Sequence, residues 1–241
     1  MKKSYIIIGV VVIVMLVAIG IYAVINSNSQ SKKQLEENST NIEGTTNTEN
    51  SAKENKDENI QNNQISNESE ENNMYSTGKH HAEIVVKNYG TIALELDSDV
   101  APITVENFAN LVNEGFYNGL TFHRIISGFM IQGGDPLGNG IGGSSKTIKG
   151  EFASNGVKNS ISHVRGTISM ARSSMPNSAS SQFFIVHQDS TFLDGQYAAF
   201  GTVTSGMEVV DKICADTAVE DDNGTVAKNN QPVIEKITII D

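Results

Sequence analysis

Tryptophan is absent from this 241-residue chain, and cysteine occurs once, as Cys214. No internal disulfide can form, even in an oxidising compartment, and no indole N–H is available as a donor. Cys214 sits in a packed helical pattern and reads as a structural thiol rather than a nucleophile. Positive charge is also scarce: 17 Lys and Arg stand against 28 Asp and Glu, a net of −11. An acidic chain without a basic stripe is a poor partner for nucleic acid. His80, His81, His123, His163 and His187 show no ligand-like spacing beyond one adjacent pair. Neither a metal site nor a cofactor is expected from them. No G-x-S-x-G elbow is present, which argues against an α/β-hydrolase. Gly138-Asn-Gly-Ile-Gly-Gly143 does satisfy G-x-G-x-x-G, but a dinucleotide site needs a strand before it and a helix after it. Asp135-Pro136 precedes this stretch and Ser144-Ser-Lys-Thr follows, so it reads as a loop.

Long apolar runs are missing too, with one exception. Ile6 to Ile25 carries no charge and follows Lys2 and Lys3. Twenty residues at about 1.5 Å each reach about 30 Å, the thickness of a hydrocarbon core. Residues 1–25 therefore read as a single-pass membrane anchor with its N-terminus in the cytoplasm and the rest of the chain outside the membrane. A cleaved signal peptide is the alternative, but its apolar region would be shorter and Ile-Tyr-Ala-Val-Ile-Asn-Ser matches A-x-A poorly. No cysteine follows the run, which excludes the usual lipid-modified N-terminus. Residues 26–78 are rich in Asn, Ser, Thr, Glu and Lys, with four lysines against ten acids. Such a segment cannot bury enough apolar surface to offset its ordering entropy and reads as a disordered linker. Residues 79–241 remain for one folded domain of ordinary size.

Within that domain, His81–Val86 and Thr91–Leu96 read as strands joined by a hairpin at Lys87-Asn-Tyr-Gly90. Ile92, Leu94 and Leu96 alternate with Ala93 and Glu95, the pattern of a half-buried strand. Pro102 opens a helix whose apolar face is Val105, Phe108, Ala109 and Val112, with Gly115 as the stop. A second helix is expected from about Met207 to Cys214. Thr121–Ile126, Phe129–Gln132, Gly166–Met170, Gln182–His187, Ala199–Val203 and Pro232–Ile240 read as further strands. Many short strands and only two helices favour a closed antiparallel barrel over a βαβ sheet.

The segment Phe122-His-Arg-Ile-Ile-Ser-Gly-Phe-Met-Ile-Gln-Gly-Gly-Asp135 places one guanidinium and one amide among Phe, Met and Ile. A cation among apolar groups is costly to bury unless a partner or ligand uses it. The segment suggests an apolar pocket with one strong donor. Together with Gly166-Thr-Ile-Ser-Met-Ala171, Ser181-Gln-Phe-Phe-Ile185 and Leu193-Asp-Gly-Gln-Tyr…Phe-Gly201, it resembles the cyclophilin family of peptidyl-prolyl isomerases. The resemblance spans Ala82 to Ile240, and Ser173–Ser180 looks like the bacterial members. It implies a mainly β fold, an eight-stranded antiparallel barrel capped by two helices, with a proline-binding groove on its outer face.

The resemblance assigns catalysis to Arg124. Phe129, Met130, Phe184 and Leu193 would line the proline pocket, and Gln132 would hold the substrate backbone. Ala171, Arg172 and Gln182 would line the neighbouring groove, while Phe183 reads as core. The expected partners are proline-containing polypeptides, with the bilayer engaged through the N-terminal helix and a monomeric catalytic domain. Assistance to the folding of exported chains follows from that placement. A proline-peptide docking module with incidental turnover is the competing class, and a plain structural surface domain a third. Docking alone does not require a donor beside the prolyl nitrogen, which favours the enzyme.

Two positions depart from the best-known eukaryotic members, whose Trp and His are here Phe192 and Tyr197. Phe192 keeps an aromatic wall but lacks the indole donor, whereas the Tyr197 hydroxyl can still hydrogen bond. Weak cyclosporin binding with isomerase activity retained is therefore expected. A competitive titration checks this, and nanomolar inhibition would refute it.

Overall fold

Alternation of apolar side chains decides where the strands run and which way they face. The computed structural model describes residues 74–241. The anchor assigned to 1–25 and all but the last five residues of the linker assigned to 26–78 lie outside the described residues. Eight strands follow in order: β1 Lys79–Val86, β2 Gly90–Asp97, β3 Phe122–Ile126, β4 Met130–Gly133, β5 Thr167–Met170, β6 Phe183–Val186, β7 Ala199–Ser205 and β8 Ile234–Ile239. Two helices interrupt them, α1 Pro102–Asn113 between β2 and β3, and α2 Met207–Asp216 between β7 and β8. All eight expected strands and both expected helices are present, with ends shifted by a few residues.

The strands form one sheet in the order β3-β4-β6-β5-β7-β2-β1-β8, and every pairing is antiparallel. The sheet curls until its edge strands approach each other. There Thr121 bridges Val233, the Phe122 N–H donates to Pro232 O at 2.9 Å and the Ile234 N–H donates to Leu120 O at 2.8 Å. The expected closed barrel is thus a curled sheet with a seam, stitched by one bridge instead of a full ladder. Pro232 at the seam has no N–H to donate, which suits a ladder that stops there.

Inside the curl, Phe108 from α1 meets Tyr117, Phe183 and Phe200 with ring centroids 5.2 to 5.7 Å apart, and all four are fully buried. Removing one such ring typically costs about 3–5 kcal/mol. The α1 face Val105, Phe108, Ala109 and Val112 is buried as its spacing requires. No side chain of its own caps α1. Glu151, 47 residues along the chain from Thr104, accepts from the Thr104 N–H at 2.8 Å and the Thr104 hydroxyl at 2.6 Å. A carboxylate on free amides at a helix N-terminus is favourable both as a hydrogen-bond acceptor and against the helix dipole.

The packed region begins ahead of the boundary expected at Lys79. Tyr75 is buried against the core, its hydroxyl accepts from Asn113 Nδ2 at 3.0 Å, and its carbonyl accepts from Ser98 Oγ at 2.6 Å. The end of the assigned linker therefore belongs to the fold. A single aromatic ring in a polar tract finds a slot beside α1 that composition alone does not reveal.

Candidate active site

Antiparallel register carries the site. Arg124 on β3 lies opposite Gln132 on β4, Gln132 opposite Phe184 on β6, and Phe184 opposite Ser169 on β5. One residue along, Ile125, Ile131, Ile185 and Ile168 form the parallel row. Successive side chains point to opposite faces of a strand. The isoleucine row accordingly joins the interior core. Met130, Phe184 and Val186 form a second, separate apolar cluster with Leu193, and Ile126, Phe129, Ala171 and Tyr197 pack against it. The sheet thus has a core on one face and an apolar groove on the other, and Phe183 falls on the core side as read from the sequence.

Arg124 is half-buried at one end of this groove. Its Nε donates to the Asn223 carbonyl at 2.8 Å, Nη2 donates to Asn223 Oδ1 at 3.1 Å, and Nη1 donates to Gln132 Oε1 at 3.3 Å. A guanidinium has five N–H bonds. Three are directed at these acceptors, so one remains on each terminal nitrogen. Burial pulls the Arg124 pKa down, opposed by Tyr197 and Asp221. Asn223 reaches Arg124 because Gly224, at φ +79°, lets its turn press against β3, where a Cβ would lie 2.3 Å from Ile125 O. Only glycine adopts that conformation without strain and leaves that space.

The remaining assigned residues sort clearly. Gln132 Nε2 donates to Gln182 Oε1 at 2.9 Å, and Gln182 Nε2 donates to Gly142 O at 2.7 Å and Gly140 O at 3.1 Å. The G-x-G-x-x-G stretch is a loop, as expected. It is held by Asp135, whose carboxylate accepts from the N–H groups of Leu137, Asn139 and Gly140. Phe129, Met130, Phe184, Leu193, Ala171 and Tyr197 come together, with the Tyr197 ring edge-on to Phe184 at 5.9 Å. Phe192 stands 59% exposed beside Phe129, ring centroids 5.6 Å apart, and forms an outer lip of the groove. Arg172, assigned to the neighbouring groove, donates to main-chain carbonyls, Nε and Nη2 to Gln196 and Nη1 to Ser173 and Ser174.

Two contributors escape the sequence reading. Asn223 is one, 99 residues from Arg124. The other is His163, buried and stacked on Phe184 at 6.0 Å, with Nδ1 on Asp194 Oδ1 at 2.8 Å and Nε2 on Ser169 Oγ at 3.0 Å. Asp194 also accepts from the His163 N–H and the Ser162 hydroxyl, so it anchors a turn and is not a free acid. Asn223-Gly224 marks a turn in the sequence but not where the turn lands, and a lone histidine carries no signal of its stacking partner. Cys214 lies half-buried in α2, and burial pushes its thiol up to about 11, in keeping with a structural thiol. Among the described residues no cluster of His, Cys, Asp and Glu could hold a metal ion.

A curled antiparallel sheet with two helices and an external apolar groove bearing one oriented guanidinium defines a class, and comparison with known proteins places the chain in it. Residues 81–240 match the family described as cyclophilin type peptidyl-prolyl cis-trans isomerase/CLD. Peptidyl-prolyl cis-trans isomerase A of Dickeya dadantii is 48% identical over 139 residues, covering 54% of this chain and 69% of the relative. Peptidyl-prolyl cis-trans isomerase B of Bacillus subtilis is 50% identical over 117 residues, 48% of this chain and 78% of the relative. A Cryptosporidium parvum cyclophilin-type isomerase, solved in the presence of the dipeptide Ala-Pro, is 32% identical with a TM-score of 0.59, covering 67% of this chain and 99% of that one. The chain belongs to the cyclophilin-type peptidyl-prolyl cis-trans isomerases.

Burial lowers the pKa of both His123 and His163. His123 faces Asp135, which raises its pKa, and Arg124, which lowers it further, while neither of its ring nitrogens has a hydrogen-bond partner among the described residues. Below about pH 6.5 the unfolded chain takes up protons that the folded one resists. The stability these neutral imidazoles contribute is present above that pH and lost as pH falls through the window beneath it. Thermal melts should show a falling midpoint from pH 7.5 to 5.5, with a shallower slope in His123→Leu. Identical slopes in the two proteins would exclude His123 as a source of the effect.

Proposed function

We propose that this isomerase binds an X–Pro segment along the outer groove, with the prolyl ring against Met130, Phe184 and Leu193 and the prolyl nitrogen beside Arg124. The observation that carries the reading is the placement of Arg124: a guanidinium at the rim of the apolar cluster, oriented by neutral acceptors, with one N–H left on each terminal nitrogen.

Amide resonance sets the rotation barrier at about 18–20 kcal/mol. No covalent step is needed to lower it, only tighter binding of the twisted amide than of the planar one. As the C–N bond twists, the prolyl nitrogen becomes pyramidal and regains a lone pair. A donor from Arg124 then gains a hydrogen bond that the planar amide cannot offer. Such a charge-assisted bond is worth about 1.5–3 kcal/mol, or roughly one to two decades of rate. Fixing one side of the rotating bond and excluding water supply the remainder. Gln132, held by Gln182, is placed to engage the substrate backbone. Arginine suits the role better than lysine because its planar fork stays charged when partly buried.

The location follows from the sequence. The uncharged run Ile6–Ile25 behind Lys2 and Lys3 supports a membrane anchor, and the polar 26–73 stretch supports a tether that holds the isomerase outside the membrane, where exported chains fold. Among the described residues no helix is long and apolar enough to cross a membrane.

Arg124→Ala should lower kcat/KM on a proline peptide by about ten- to a hundredfold while circular dichroism stays native. A variant with the full rate would sink this mechanism. Cell fractionation should recover the chain with membranes at its full size, and recovery only as a shortened soluble species would reject the retained anchor.

A further inference from the structure

Arg172 is one of the residues the resemblance places along the neighbouring groove, and its hydrogen bonds run to main-chain carbonyls. Nε and Nη2 both donate to the Gln196 carbonyl, at 3.0 and 2.9 Å. Nη1 donates to the Ser173 carbonyl at 2.9 Å and reaches the Ser174 carbonyl at 3.4 Å. All three nitrogens are engaged by main-chain oxygens of two separate loops. The guanidinium also lies over two aromatic rings: its central carbon is 5.0 Å from the centroid of Phe152 and 4.8 Å from that of Tyr197. A cation over an aromatic ring is attracted to the negative face of that ring.

These contacts bear on the groove through Tyr197. Its ring meets Phe184 edge-on at 5.9 Å, and Tyr197 packs against the cluster of Met130, Phe184 and Leu193. The segment that supplies Phe192, Leu193 and Tyr197 has only one 3-10 turn of regular structure, Thr191–Leu193. Ser162 and His163 hold Asp194, and the Ser154 N–H holds the Gly195 carbonyl. Beyond them Gln196, whose carbonyl takes two bonds from Arg172, immediately precedes Tyr197.

We propose that Arg172 is a positioning residue for prolyl isomerisation: without touching the substrate, it clamps the 191–197 segment and so fixes the Tyr197 wall of the proline pocket. The inference rests on the reading of the groove as the prolyl-peptide site. A wall that contacts the prolyl ring in both the planar and twisted states contributes uniform binding, which appears in KM more than in kcat. Lysine is a poor replacement for the clamp, because a single compact ammonium lacks the planar fork that reaches the carbonyls of both loops while lying over the rings.

The test uses the full-length chain and a proline tetrapeptide, with Arg172→Ala, Arg172→Lys, Tyr197→Ala, the Arg172→Ala/Tyr197→Ala double variant, and Arg124→Ala as reference. Arg172→Ala should raise KM about tenfold, with kcat changing less than about threefold, and Arg172→Lys should restore little of the loss. In the Tyr197→Ala background, removing Arg172 should change KM by less than about twofold, since the wall it holds is already gone. A wild-type KM in Arg172→Ala overturns the proposal. So do effects of the two substitutions that multiply in the double variant, the signature of a direct substrate contact. If thermal melts show Arg172→Ala to be unfolded, Arg172→Lys carries the comparison, and a wild-type KM there overturns the proposal equally. Wild-type activity with loss in Arg124→Ala but no effect at Arg172 defeats this inference alone. An inactive wild-type chain defeats the groove reading and this inference with it.

Discussion

Two-sided burial of β6 is the constraint on which the rest of the structure depends. All four residues, Phe183 to Val186, are buried, and the strand is paired on one edge with β4 and on the other with β5. A slip of one residue would exchange Phe183 and Ile185, which build the interior, for Phe184 and Val186, which build the groove. The same register aligns Arg124, Gln132 and Phe184 in a single row. Stability and site geometry therefore rest on one set of ladder hydrogen bonds, and neither can drift without the other.

The charge in that row is held in an instructive way. The hydrogen-bond acceptors of Arg124 are the carbonyl and side-chain oxygens of Asn223 and the amide oxygen of Gln132. All are neutral. A carboxylate in their place would orient the guanidinium equally well but would cancel much of its field at the groove. Neutral acceptors compensate the cost of burial through geometry and leave the positive charge available to a developing lone pair. Asp221 lies near enough to favour the charged form, yet it spends its oxygens on Thr225.

Much of the fold was legible in the sequence, for reasons that differ by element. β2 shows its inner face directly, because Ile92, Leu94 and Leu96 alternate with smaller or polar residues. α1 declares its start with Pro102 and its face with Val105, Phe108, Ala109 and Val112. Phe-Phe-Ile-Val of β6 reads as a strand, but a continuous apolar run does not say which residues look inward. Phe184 and Phe183 could be separated only by the family resemblance, and the register then gives the physical reason. What stayed hidden is non-local: the clamp of Asn223 on Arg124, the seating of Tyr75 against α1, and the stacking of His163 on Phe184. Arg172 was visible as a residue of the site region but not in its hydrogen bonds to the Gln196, Ser173 and Ser174 carbonyls, of which the pair to Gln196 is non-local like the clamp of Asn223 on Arg124.

The bonds from Gly140 and Gly142 through Gln182 and Gln132 to Arg124 also have a direction. Main-chain carbonyls can only accept, so Gln182 must turn its amino group towards the loop and its oxygen towards Gln132. Gln132 must then turn its own oxygen towards Arg124. Each amide is thus oriented by its neighbour, and the polarity of the whole line is written at its far end by a glycine-rich loop. Both positions need a group that accepts on one side and donates on the other, which an ionised glutamate cannot do. A loop that never touches the guanidinium decides which face of Gln132 the guanidinium sees.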